Sequence, residues 1–375
     1  MVVPLDRLAE ANALRVQGFM TEALQAFTQW SARKPDELFG LPEDPDSHLA
    51  HKRAEGAFVA GQKAFDAKKY DVAERSLKSA LTDFAKGAAS IKDMGHLCEA
   101  TALYAATVFH RGDVEEAKVQ LLDLLALGPT HELSGRRYPQ GFIQLRAAVA
   151  QGTEASLRGS AALKTKPAGA RVYVDGEFQG FAPLSLPTLS AGKHLLRVEH
   201  PGFRPYGQLV EISPELQELV IKLVASAGYR SMETLFTRAA SELGLPTGTA
   251  FATLGRDLGL SHGVLGVLRE TEDARSELTL AYYDVQTGKR LGTRKMTFQG
   301  DEYGQLQTEV VRAVTALVNG TDPAAQTAKS GADPLVNKHG TEDWSAEDKG
   351  GHVQRADKKR SKTDPLEHKD GTEDW

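Results

Sequence analysis

The string GLSHG at 259–263 satisfies G-x-S-x-G, the spacing that in a hydrolase exposes a serine nucleophile on a sharp strand-to-helix turn. Ser261 and His262 therefore call for a test of acyl-transfer chemistry. The flanking patterns run the other way: the helical TLGRDLGL precedes the serine and the strand-like VLGVL follows it. The five residues then read as a helix-to-strand turn, with His262 a loop residue. Four further histidines stand in pairs. His48 and His51 fall in a Pro- and Asp-rich stretch expected to be a loop, and no helix-borne histidine pair brackets a glutamate. His194 and His200 flank LLRVE on one face of an expected strand, without the carboxylate or cysteine partner that a zinc site needs. The single cysteine, Cys98, excludes a disulfide within the chain and any cysteine-rich metal site, and reads as a small buried apolar residue. No glycine string with phosphate-cradling spacing opens a helix. Catalytic residues, cofactor and metal are accordingly all expected to be none.

The stronger claim to activity lies at the end of the chain. DPLVNKHGTEDW (333–344) and DPLEHKDGTEDW (364–375) agree at nine of twelve positions, while the stretch between them has no counterpart elsewhere. Each copy opens on Asp333, Pro334 and Leu335 or on Asp364, Pro365 and Leu366. Each closes on Glu342, Asp343 and Trp344 or on Glu373, Asp374 and Trp375. A tryptophan offers a large apolar area to a partner's pocket, and the adjoining carboxylates steer toward a basic rim. Two linked copies raise the effective concentration of the second, which favours a multivalent protein partner. The basic run RADKKRSK between them is flanked by acids and carries no interleaved aromatic, so it reads as a solubilising segment rather than a nucleic-acid or lipid contact.

Composition bounds the alternatives. The formal net charge of −5 gives no global attraction to nucleic acid, and 41% hydrophobic with 25% charged residues is ordinary for soluble globular chains. The 375 residues have room for two to four domains. No apolar run reaches the roughly 18 residues of a membrane span, and MVVPLDRLAEANALRVQGFM lacks the basic-then-apolar order of a signal peptide. As written the chain is expected in the cytoplasm; a start lying further upstream would place it in the periplasm or cell envelope.

Four segments must position these residues. From 1 to 155 apolar residues recur at helical spacing. Aligning Ala23, Ala73 and Ala117 brings Phe27, Leu77 and Leu121 into register four residues on, and Ala11, Gly61 and Ala105 twelve residues back. Small residues where helices touch, with a large one a turn later, resemble the tetratricopeptide repeat, with Pro35 and Pro129 at its closing position. Such repeats imply a surface that can take a protein partner.

Near 158 the period changes to alternation. ARVYVDG places Val172 and Val174 opposite Arg171, Tyr173 and Asp175, then turns at Asp175-Gly176. PAGARVYVDG, GFAP and LSAGKHLLRVEHPGF together resemble the PEGA domain, with Pro167, Ala168, Gly169 and Ala170 at its signature and Ala in place of Glu. The resemblance spans 159–224 and implies an all-β module of bacterial envelope or signalling proteins that binds rather than catalyses. Tyr173, Phe178, Phe181 and Tyr206 could then stack on sugar faces of a polysaccharide.

From 229 to 320 two helices, three strands and a closing helix are expected to form a compact α/β layer. It resembles the small α/β domains of bacterial envelope proteins of the TolB amino-terminal or curli-secretion type, which leaves open a role as regulator of an envelope enzyme. Residues 321–375 hold too little apolar surface to offset chain ordering. The sequence therefore predicts a multidomain α+β protein: a tetratricopeptide-like helical array (1–155), a PEGA-like β-domain (159–224), an α/β domain (229–320) and a disordered tail (321–375). The expected role is that of a non-enzymatic adaptor.

Overall fold

A computed structural model describes residues 1–39, 44–153, 158–213, 215–271, 275–299 and 303–320. The chain is a multidomain α+β protein. Its first part runs β1 (Val2–Pro4), α1 (Arg7–Gln25), α2 (Pro35–Phe39), α3 (Pro45–Asp66), α4 (Tyr70–Lys86), a 3-10 turn (Ala88–Ser90), α5 (Gly95–His110), α6 (Val114–Leu127) and α7 (Gln140–Thr153). Seven strands follow: β2 (Arg158–Lys166), β3 (Arg171–Val174), β4 (Glu177–Phe181), β5 (Leu184–Ser190), β6 (Gly192–Glu199), β7 (Tyr206–Ile212) and β8 (Gln217–Lys222). The last part comprises α8 (Ala227–Ser241), α9 (Thr249–Asp257), β9 (His262–Glu270), β10 (Arg275–Asp284), β11 (Arg290–Gln299) and α10 (Tyr303–Asn319).

Two helical hairpins, α3–α4 and α5–α6, pack together with α7 around one core. The small-then-large pattern of the sequence builds it. Ala73, Leu77, Ala105, Ala117 and Leu121 are fully buried, and a Cβ placed on Gly61 would sit 2.6 Å from Leu77 Cγ. Each hairpin reverses through a left-handed residue, Lys68 (φ 58°) and Gly112 (φ 91°), five positions before the aligned alanine. Asp113 then caps α6 by accepting a hydrogen bond from the Glu116 amide at 3.1 Å.

The first aligned copy departs from this plan. Ala11 and Ala23 lie on the single helix α1, and Gly18, at the position where the other copies turn, remains helical. Assignment of 1–155 to one helical array is thereby corrected: β1 and α1 belong with the carboxyl-terminal elements. β1 pairs in parallel with β9 (Val2 with Gly266), while α1 lies beside α10 on the sheet ordered β1-β9-β10-β11. Asp6 shows why this arrangement holds. One of its oxygens caps α1 at the Ala9 amide (2.8 Å) and the other accepts from the Glu270 amide (2.9 Å), joining the helix start to the end of β9. The sheet is covered on both sides. Val264, Leu268, Leu278 and Leu280 meet α1 and α10, whereas Leu265, Ala281 and Tyr283 share a core with residues of α8 and α9. Burial on both faces explains the nearly continuous apolar run VLGVL.

Between these parts stands a β-sandwich of sheets β5-β2-β8 and β4-β3-β6-β7, closed over Leu163, Val172, Leu186, Val198 and Ile221. It touches both neighbours. Leu195 of β6 enters the helical core, and Gly192 and Gly207 bring backbone against Ala126 and against Ala88–Ala89, too close for any Cβ. On the other side, the Arg15 guanidinium of α1 lies 5.4 Å over the Phe181 ring.

Candidate functional sites

The hairpin face of α4, α5 and α6 is where a peptide-binding role would lie. There the strands β6 and β7 form one wall and leave a cleft of about 460 Å³. Its polar lining mixes signs: Lys78 and Lys193 against Glu116, Asp123 and Glu211. Asp123 is buried and holds Lys193 twice, accepting from its amide (3.2 Å) and from its ammonium (2.7 Å). Nearby, the buried Arg197 donates to the Ile91 carbonyl at 2.7 Å and pairs with Glu199. The Asp123–Lys193 pair and the Arg197–Ile91 bond fasten sheet to helices, while Arg197 Nε is left buried without a partner. The groups still facing the cleft could hold a polar, extended segment.

The β3–β4 hairpin gathers three of the four aromatics singled out in the sequence. Phe178 lies 5.5 Å from Tyr173 and 5.4 Å from Phe181, and Arg197 stacks over Tyr173 at 5.2 Å. With Arg15 on Phe181, guanidinium groups occupy faces that a sugar would need; Phe178 alone of the three is largely exposed, at 51%. Tyr206 packs against the interior of the sandwich and hydrogen-bonds Gln208. The platform thus reduces to one exposed ring with two covered ones behind it.

The histidines are dispersed. His194 and His200 do not meet: His200 follows the end of β6, and its Nδ1 lies 3.0 Å from the Pro201 carbonyl. His194 is buried, with Nδ1 2.6 Å from Asp175 Oδ2 and Nε2 2.8 Å from the Ser190 carbonyl. Burial opposes the charged ring, but the Asp175 hydrogen bond and charge, with the Ser190 carbonyl, outweigh it and raise its pKa. Asp175 was legible in the sequence only as a turn residue. In the fold it also accepts from the Leu195 amide at 2.8 Å and locks β3 to β6.

His48 and His51 stand on α3 rather than in a loop, because Asp44 caps the helix and Pro45 opens it. Glu55 then faces two imidazoles, His96 at 2.7 Å and His51 at 3.8 Å. No cluster of three or more metal-ligating side chains occurs among the described residues. Cys98 is buried, and burial, followed by the carboxylates of Asp175, Asp93 and Glu99, pushes its thiol up to about 11. It is an inert packing residue at pH 7.

Ser261 follows α9 and immediately precedes β9, the reverse of a nucleophile elbow. His262 Nδ1 lies 3.3 Å from Ser261 Oγ, but its ring packs against Trp30 (4.6 Å) and Tyr282 (5.7 Å). It opens β9 and works as an aromatic surface, a role that its neighbours in sequence do not announce. Asp333 to Trp344 and Asp364 to Trp375, the two copies of the terminal motif, lie outside the described residues.

The sandwich strands, the cis Lys166-Pro167 bond at the Pro-Ala-Gly-Ala stretch and the Asp175-Gly176 turn define the middle module. Residues 158–226 match the PEGA domain. That match covers the seven sandwich strands and ends at Ser226, which caps α8. No curated protein matches the chain. The PEGA domain therefore sits between a helical unit and an α/β unit, in contact with both.

Proposed function

We propose that this protein is a non-enzymatic adaptor of a bacterial, envelope-associated assembly. Its folded units form the anchor, and its two DPLxxKxGTEDW motifs recruit a protein partner. The carrying observation is the motif itself, repeated at nine of twelve positions across an unrelated spacer. The PEGA match supports a binding role, and the cleft between the PEGA strands and the tetratricopeptide-like hairpins supplies a second polar surface for a protein. Trp344 and Trp375 are the anchors, with Glu342, Asp343, Glu373 and Asp374 steering. Against a bivalent partner, loss of either tryptophan lowers affinity of the full chain by about 100-fold, because one motif then binds without the other. A quantitative binding assay of Trp344→Ala, Trp375→Ala and the double variant tests this. Equal binding by the double variant and the parent chain would sink the reading.

A second reading, in which the PEGA domain contacts a surface polysaccharide, rests on the exposed Phe178 ring. Here Phe178→Ala weakens retention on the polymer severalfold and leaves protein recruitment intact; unchanged retention counts against it.

A further inference from the structure

A second cavity lies within the α/β unit, where α1, α2 and the turn after α9 meet the start of β9. It encloses about 350 Å³, within the range of small-molecule sites. Its lining is mainly apolar, leucines and methionines together with the rings of Phe39, Phe251 and Tyr282. Leu24, Leu38, Leu258, Leu260 and Val318 are each only half-buried, so apolar surface that a filled core would hide faces empty space, and Met20 closes the floor. Trp30, 39% exposed, stands with His262 and Tyr282 along one side.

Charge is one-sided. Among the described residues no aspartate or glutamate lines the cavity, and Arg33 does. Arg33 meets Glu37 through Nε at 3.5 Å, but a guanidinium has five N–H donors, more than one carboxylate takes up. A mainly apolar chamber with one arginine and with thioether and leucine walls suits a flexible hydrocarbon chain bearing one negative charge, rather than a polyanion.

We propose that this cavity binds a single acyl chain with a terminal carboxylate, a free fatty acid, its hydrocarbon among the leucines and its carboxylate at Arg33. The same chain chemistry could arrive within a membrane lipid, and the test separates the two. In the full chain carrying Trp344→Phe and Trp375→Phe, Trp30 is the one remaining tryptophan of three and reports on the cavity. Dodecanoate below its micellar concentration is expected to change Trp30 emission saturably, at one molecule per chain. Leu24→Phe, which fills the chamber, is expected to weaken binding about tenfold, the equivalent of roughly two buried methylenes, without lowering the thermal midpoint. Should that variant fail to fold, Leu258→Phe from α9's end serves the same purpose. Arg33→Gln is expected to weaken dodecanoate about fivefold and leave dodecanol unchanged. The proposal is overturned by the absence of a saturable change, by binding indifferent to both filling variants, or by a response to phosphatidylglycerol vesicles alone.

Discussion

Asp175 and His194 show how a turn residue acquires a second task. A carboxylate at the left-handed corner of the β3–β4 hairpin (φ 50°) reaches a buried imidazole nineteen positions on, and that ring's other nitrogen is held by a backbone carbonyl. Both nitrogens are used as donors in the charged form. The folded-state pKa of His194 is raised above its ordinary value, so its contribution is complete below about pH 6.5 and is lost as pH rises through the folded value. Unfolding by urea at a series of pH values is expected to show stability falling on the alkaline side of pH 6.5. In Asp175→Asn that slope flattens, and the acid-side stability drops by about 1.5–3 kcal/mol, the weight of a charge-assisted hydrogen bond. An unchanged slope would show that the ring titrates elsewhere.

At the scale of elements, two helical glycines of the aligned copies, Gly61 twelve positions before Ala73 and Gly18 five before Ala23, behave oppositely. Gly61 of α3 is pressed against α4, with Leu77 Cγ 2.6 Å from the position of an added Cβ, whereas Gly18 of α1 has nothing within 4 Å. Gly61→Ala is expected to cost about 1–3 kcal/mol through overpacking. Gly18→Ala is expected to gain up to about 1 kcal/mol from helix propensity alone. Thermal midpoints of the two variants check this directly; a gain in both would mean that α3 and α4 are not in close contact. The same contrast explains why the first aligned copy, on α1, forms no hairpin. Sequence spacing marks small residues, but only a neighbouring helix makes smallness necessary.

For the described units as a whole, the first twenty-five residues complete a sheet whose other strands begin at 262. β1 pairs with β9, and α1 covers Val264, Leu268, Leu278 and Leu280 together with α10. Deleting residues 1–25 is therefore expected to expose β9 to β11. Hydrogen exchange in those strands should rise toward unfolded rates, while the two hairpins α3–α4 and α5–α6, whose shared core contains no residue of 1–25, keep their protection. Protection retained in β9 would show that the α/β unit is complete without its amino-terminal part. The helical unit and PEGA domain are thus inserted between two halves of one α/β unit, and the PEGA strands β6 and β7 share a core with the helices through Leu195 and Leu209.

The sequence by itself determined what depends on near neighbours: helical period to about 155, alternation from about 158, the left-handed turn at Asp175-Gly176, the small-large register that two of the three aligned copies keep, and the PEGA signature, because each is set by local backbone and face periodicity. It also carried the repeated terminal motif, which needs no fold to be seen. Only the tertiary structure decided which sheet α1 covers, which face of the hairpins the PEGA strands occupy, that Asp175 reaches His194, and that Trp30, Arg33 and Leu258 border one chamber. These are contacts between residues up to hundreds of positions apart. Burial selects them by fitting whole surfaces together, and no spacing rule along the chain encodes that fit.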